Sequence, residues 1–269
     1  MKLPKLPWMS RADKRRWRSA EDLQELGHLV ASWLIGDLAS QPGYQPHCGP
    51  DEETQHLIPV LVAVNRLGFV TDSSQPGFAG YGYDHHWWEQ RAAVSGLVDD
   101  PELRDRLVAA AEVAGLTVVQ HDMTPRRHAE GVPVTRSLGR ARTHFGGFLP
   151  VRDLRTVWQP EIIGRRVFDK VTAAWQFTLI DPEWGRDDVL WEALAEVVRQ
   201  YRLEDVERKA RVRREALSHD NLCRRYAYPD LARGAVQEWH DDKVRRAVEE
   251  ARLSGCTDAA IELVVGCEC

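Results

Sequence analysis

Cysteine is scarce in this chain, with five in 269 residues: Cys48, Cys223, Cys256, Cys267 and Cys269. An odd, scattered set of thiols argues against the disulfide framework of a secreted domain. No C-x-x-C pair occurs and His85-His86 stands in no H-E-x-x-H frame, so no metal site is expected. Long apolar runs are also missing, which removes any expectation of a membrane partner. The basic N-terminal residues Lys2, Lys5, Arg11, Lys14, Arg15, Arg16 and Arg18 lead into no uninterrupted apolar stretch, so no secretory leader is expected and the chain reads as cytoplasmic. Walker, G-x-G-x-x-G and G-x-S-x-G patterns are absent, and no cofactor is therefore assigned. An excess of positive charge is lacking too. The net charge of −5 argues against a dedicated nucleic-acid binder, which needs a basic surface to neutralise phosphates.

What is present is an ordinary globular composition with many tryptophans, ten in all, at a length that suits one large domain or two small ones. The expected division is a basic arm over 1–18 carrying Trp8 and Trp17, an α/β core over 19–200, and a charged helical region over 201–269 packed on that core. The stretch from Asn65 to Gly77 organises the rest. An apolar helix ends at Gly68, a short strand follows over Phe69–Thr71, and the chain turns at Ser73-Ser74-Gln75-Pro76-Gly77. Upstream, Ser19 is the expected N-cap of a helix striped with Leu23, Leu26, Val30, Trp33, Leu34 and Leu38. Pro59 is expected to kink the next helix or delay its start.

Downstream, the aromatic segment Phe78 to Trp88 reads as a long loop. Gln90–Val98 reads as one strand, Asp100-Pro101 as the start of a helix stopped by Gly115, and Leu116–Val119 as a strand. Strand, helix and strand in this spacing predict a parallel βαβ pair. Residues 161–175 read as helix, 177–180 as strand, and the region from Asp187 onward as helix, with further elements over 232–253 and 259–265. The fold class expected is α/β: a small mixed β-sheet flanked by helices, with a helical, charged C-terminal third.

Chemistry has three candidate locations. In the first, Thr71, Ser73 and Gln75 join Gln90 and Arg91 to hold an anionic or amide-bearing ligand. That cluster forms if the strands at 69–71 and 90–98 pair antiparallel; if they run parallel, Gln90 moves to the opposite sheet end and the cluster dissolves. The second is an arginine-rich loop in which Arg140 and Arg142, with Gly139, Gly146 and Gly147, can grip phosphate. The third is a set of acid–base candidates, His144 and Asp181, with His121-Asp122 after another strand.

The segments Asn65-Arg66-Leu67-Gly68-Phe69-Val70-Thr71, Ser74-Gln75-Pro76-Gly77, Gln90-Arg91-Ala92-Ala93-Val94-Ser95-Gly96 and Asp181-Pro182-Glu183-Trp184-Gly185 carry a resemblance to an uncharacterised family of proteins from Streptomyces and related actinomycetes. The resemblance implies a bacterial cytoplasmic setting and supplies no mechanism. The leading functional expectation is an enzyme acting on a polar, phosphate-bearing small molecule such as a nucleotide. The competing one is a non-enzymatic interaction or regulatory protein, carried by a mobile element, that meets nucleic acid or a protein partner.

Overall fold

The computed structural model describes residues 8–122, 124 and 130–226. The elements expected at 232–253 and 259–265, the thiols Cys256, Cys267 and Cys269, and Arg126, Arg127 and His128 lie outside the described residues. The chain divides into two compact units, Met1–Gln200 and Tyr201–Cys269.

Two short helices open it, α1 (Arg11–Arg18) and α2 (Leu23–Leu34), then a 3-10 turn at Glu52–Leu57 and α3 (Ile58–Leu67). The strands β1 (Val70–Gln75), β2 (Phe78–Tyr81), β3 (Trp87–Gln90) and β4 (Ala93–Val98) follow. Next come α4 (Pro101–Ala114), β5 (Thr117–His121), β6 (Val132–Ser137) and β7 (Arg140–Phe145). The helices α5 (Val151–Trp158), α6 (Pro160–Ile163) and α7 (Arg165–Ala173) precede β8 (Trp175–Ile180) and α8 (Val189–Tyr226). The expected α/β class holds, with helices flanking the strands. The strands make two sheets of four, ordered β1-β4-β8-β5 and β2-β3-β6-β7, and each ladder in both is antiparallel.

The dominant feature is one long hairpin from Val70 to Val98 that changes sheet half-way. Its lower half pairs β1 with β4, from Val70↔Leu97 to Gln75↔Ala93. Its upper half pairs β2 with β3, from Phe78↔Gln90 to Tyr81↔Trp87. The bend falls at Pro76-Gly77 on one side and Arg91-Ala92 on the other, where backbone partners are exchanged. Arg91 N–H still donates to Val134 O in the second sheet (2.8 Å), while Ala92 O accepts from Asp181 N–H in the first (2.9 Å). Strands that switch sheets at such a corner let two sheets share one core. Here that core is Ala93, Ile180 and Val134, with Val132 and Phe145 packed against it.

Several sequence readings need correction. Gln90–Val98 is two strands and a corner, because no polar break marks a change of partner. The aromatic segment is the upper hairpin β2–β3 and not a loop. The βαβ pair is split: β4 and β5 run the same way, but β8 lies between them and is antiparallel to both. Spacing along the chain sets direction, not adjacency, and a third strand far downstream took the central place. Ser19 caps the end of α1, its Oγ donating to Arg16 O at 2.7 Å, while Asp22 caps α2 by accepting from Glu25 N–H at 2.8 Å. Pro59 does delay the helix: a 3-10 turn precedes α3, with proline in its first turn, where a missing N–H costs nothing. Residues 11–18 form a helix, and its Trp17 is fully buried with the indole N–H donating to Ser40 O (2.8 Å). Trp8, in contrast, is exposed.

The helices cover the first sheet, α2 and α3 lying on β1 and α4 on β4 and β5. Phe69 and Phe177 meet edge-to-face at 5.7 Å within that layer. Asn65 locks α3 to β1: its amide donates to Thr71 Oγ1 (2.7 Å) and Leu61 O, and its carbonyl accepts from Thr71 N–H (3.0 Å).

The arginine-rich segment folds as the β6–β7 hairpin around a two-residue turn, Leu138-Gly139, with φ of 53° and 72°. Both central positions of this tight turn need positive φ, which suits Asn-Gly and strains a leucine. Leu138 is also exposed. Leu138→Asn is therefore expected to stabilise the protein by about 0.5–1 kcal/mol. A thermal midpoint that fails to rise in differential scanning calorimetry would count against the turn.

Candidate functional site

The bend brings together Gln75, Gln90, Arg91 and Asp181, four of the residues singled out from sequence, because the hairpin is antiparallel. Most of their polar atoms are already occupied. Gln75 is buried, and its amide donates to Arg91 O (2.8 Å) and Val134 O (3.0 Å) while its carbonyl accepts from Thr135 Oγ1 (3.1 Å). This side chain bolts the two sheets together. Gln90 O accepts from Gly185 N–H at 2.9 Å, which docks the turn after β8 onto β3. Asp181 is fully buried; its carboxylate accepts both arms of the Arg186 guanidinium at 2.7 Å and the Glu183 N–H at 2.9 Å. Arg91 and Arg136 both lie over the Trp184 indole, at 4.3 and 4.2 Å from its centroid. Burial first, and the neighbouring Arg136 second, lower the Arg91 pKa. The Arg136 charge is met by Glu89 in a paired contact of 2.7 and 3.0 Å. Three cations face three acids here (Glu89, Asp181, Glu183), so the corner is a clamp for the bend.

Thr71 and Ser73 do not join it. Thr71 pairs with Gly96 at the far end of β1 and is held by Asn65, and Ser73 is exposed opposite Ser95. Each residue advances a strand by about 3.4 Å, so a cluster along one strand disperses unless its members sit at one end.

Two arrangements were not legible in the sequence. Asp187, just past the clamp, accepts from Gly77 N–H (2.7 Å), Trp191 Nε1–H (3.0 Å) and His56 Nε2 (2.8 Å). A carboxylate fixed by two N–H donors thus orients an exposed histidine 131 positions away. The other arrangement is an irregularity in β1 that leaves Asp72 without a cross-strand partner. Burial pushes the Asp72 carboxyl up to about 6. Across the adjoining ladder, Ser95 and Thr178 hydroxyls meet at 2.9 Å.

Arg140, Arg142 and His144 lie apart from the corner, on β7 at the outer edge of the second sheet, and all three are exposed. None of the three is in an ion pair among the described residues. One face of this sheet carries the row Gly80–Trp88–Ser137–Arg140, read across β2, β3, β6 and β7. A shift in register leaves Arg142 unpaired between Ala141 and Thr143, and its guanidinium lies 5.9 Å from the Trp88 ring. Two rings lie down on glycines of the same hairpin. A Cβ on Gly80 would come within 2.7 Å of the Phe78 ring, and one on Gly82 within 2.7 Å of the Trp88 indole. The Trp88 Nε1–H is fixed by Asp84 Oδ1 at 2.9 Å, and with the backbone N–H of His86 this holds the Asp84 pKa at about 2. Phe78 remains 42% exposed, enough of its ring to take a stacking partner. The opposite face and tip present Tyr81, Tyr83 and Trp87, with Tyr81 and Trp87 edge-to-face at 5.3 Å.

Residues 12–201 match a family model described as a domain of unknown function, DUF6919. The chain belongs to that family. The matched span contains the whole bent hairpin, the clamp and both sheets; of the segments that suggested a family from sequence, three reach the bend (Ser74–Gly77, Gln90–Gly96 and Asp181–Gly185), while Asn65–Thr71 lies at the far end of β1. None of the curated proteins matches the chain. Two surface grooves lie elsewhere. One of about 450 Å³ has Arg155, Glu161, Arg165, Phe168 and Asp169 in its lining, and one of about 320 Å³ lies beside Trp33 and His47; neither includes a residue of the bend or of β7. No helix among the described residues is long and apolar enough to cross a membrane.

Proposed function

We propose that this protein binds a phosphate-bearing, base-containing ligand, nucleotide-like in chemistry, on the Phe78–Trp88–Arg142–Arg140 face of the second sheet. The observation that carries this reading is the pairing of an aromatic platform with two exposed guanidinium groups that are in no ion pair among the described residues. Guanidinium forks match phosphate oxygens, and indole and phenyl faces take a flat base. The reading moves the ligand from the Gln75–Arg91 corner, whose charges are internally balanced, to Arg140 and Arg142, which were also candidates from sequence. It assigns binding and no reaction. On this reading the chain works in the cytoplasm of an actinomycete. The exposed Tyr81–Trp87 pair and Tyr83 favour a second reading, a protein partner docked at the hairpin tip.

The test is thermal unfolding against nucleoside monophosphates and triphosphates, sugar phosphates and inorganic phosphate. A nucleotide at a hundred times its Kd stabilises the fold by about 2.7 kcal/mol. That shift is expected to weaken at least about tenfold in affinity when Arg142 becomes alanine. Nucleotides that leave the midpoint unmoved, or shift it equally in Arg142→Ala, would sink the reading.

A further inference from the structure

Resting on the nucleotide-like reading above, we infer that the ligand of this face is single-stranded nucleic acid, held as two successive nucleotides with bases on Phe78 and Trp88 and phosphates on Arg140 and Arg142. The geometry comes in two rows, one of rings and one of cations. Phe78 pairs with Gln90 and Gly80 with Trp88, so the two rings are diagonal neighbours on adjacent strands, about 7–8 Å apart at the backbone. Arg140 and Arg142 are two residues apart on β7 across its irregularity, a step of at most about 7 Å. A mononucleotide engages one ring and one guanidinium and leaves the others unused. A chain that continues past the first nucleotide uses both rows.

The face is also open where a small-molecule site would be closed. A pocket for a small molecule buries most of its ligand's surface. Here the floor is glycine and flattened rings, and β2 and β7 are the outer strands of the sheet among the described residues. An open platform of rings beside a line of cations is the arrangement that suits a single strand, whose bases are free to stack on protein. A duplex keeps its bases in its own stack and would gain only the phosphate contacts. The nearby acids do not oppose the strand. Glu89 is held by Arg136 on the other face, and Asp84 is turned to Trp88 and His86. With a net charge of −5 the affinity rests on two phosphate contacts and two stacked bases, so its salt dependence is shallow. Two neutralised phosphates predict a slope of log K against log salt near about −1.4.

Fluorescence anisotropy of the full chain with a labelled oligothymidylate of about twelve nucleotides tests this. Unlabelled duplex and thymidine monophosphate serve as competitors. The expected result is binding at least about tenfold tighter for the oligonucleotide than for either competitor. Phe78→Ala should weaken it about fivefold or more, and the Arg140→Ala/Arg142→Ala pair should flatten the salt slope by about 1.4. Phe78 and both arginines are exposed, so these variants leave the core intact, and circular dichroism checks that they fold. Equal affinity for monophosphate and oligonucleotide would overturn the single-strand inference and leave the nucleotide site standing. So would a midpoint shift with nucleotides in the absence of any anisotropy change. Silence in both measurements would remove the inference and the underlying reading together. Oligonucleotide binding that ignores all three substitutions would place the strand elsewhere and overturn the inference.

Discussion

Gly77→Ala is expected to destabilise the protein by about 3 kcal/mol or more, lowering the thermal midpoint by roughly 6–12 °C. The cause is close backbone approach and not turn geometry. A Cβ at position 77 would sit 2.0 Å from Arg186 O, 2.4 Å from its carbonyl carbon and 2.9 Å from Asp187 N. A side chain end can swing away from such a contact, but backbone cannot. Relief requires the 185–187 segment to retreat from the bend, and that retreat breaks the Gly77 N–H to Asp187 bond. It also pulls on the Arg186 grip on buried Asp181. Gly49→Ala is the control, because no atom lies within 4 Å of the added carbon; it should stay within about 1 kcal/mol of the parent. Equal midpoints for the two variants in calorimetry would mean the bend is not packed as described.

Asp72→Asn is expected to stabilise the protein at neutral pH and do nothing at low pH. Burial raises the Asp72 carboxyl from 3.8 to about 6, and among the described residues no cation pairs with it. Between those two values the folded chain holds a proton that the unfolded chain has released. Stability from this group therefore falls as pH rises from about 4 to about 6 and is flat on either side. The rise from 3.8 to about 6 corresponds to roughly 3 kcal/mol. Asparagine removes the ionisation and should recover about 2–3 kcal/mol at pH 8. Urea unfolding of both proteins at pH 4 and pH 8 measures it. Parallel stability curves across that range would show that the carboxyl is solvated in the folded state. A half-buried acid with no cation beside it among the described residues, at a cost in stability, is a candidate for chemistry, which makes Asp72 the natural residue to follow once a ligand is in hand.

The wider organisation rests on one device, a hairpin bent between two sheets and clamped at the corner. Trp184 does much of the clamping. It sits between Glu183 and Gly185 in a turn that reads from sequence as a cap, yet its ring lies against two guanidinium groups, Arg91 from the bend and Arg136 from β6. The same corner explains why Gln75 and Asp181 looked like ligand residues. A buried amide and a buried carboxylate at strand ends look alike in sequence whether their partners are ligand or backbone, because the partners lie 16 to 60 positions away for Gln75.

The sequence by itself determined what is local. Gly68 and Gly115 as left-handed helix ends, Asp100-Pro101 as a helix start, the delay imposed by Pro59 and the α/β class follow from backbone sterics and short-range hydrogen bonds. Only the tertiary structure decided which strands are neighbours, since β8 enters between β4 and β5 from far downstream. Pairing then decided everything that depends on register. It set Thr71 opposite Gly96 and Gln75 opposite Ala93 at the two ends of one ladder and laid Trp88 near Arg142, while chain packing outside the ladders joined His56 to Asp187. Register has a period of two, so a side chain's face is fixed only when its partner strand is known.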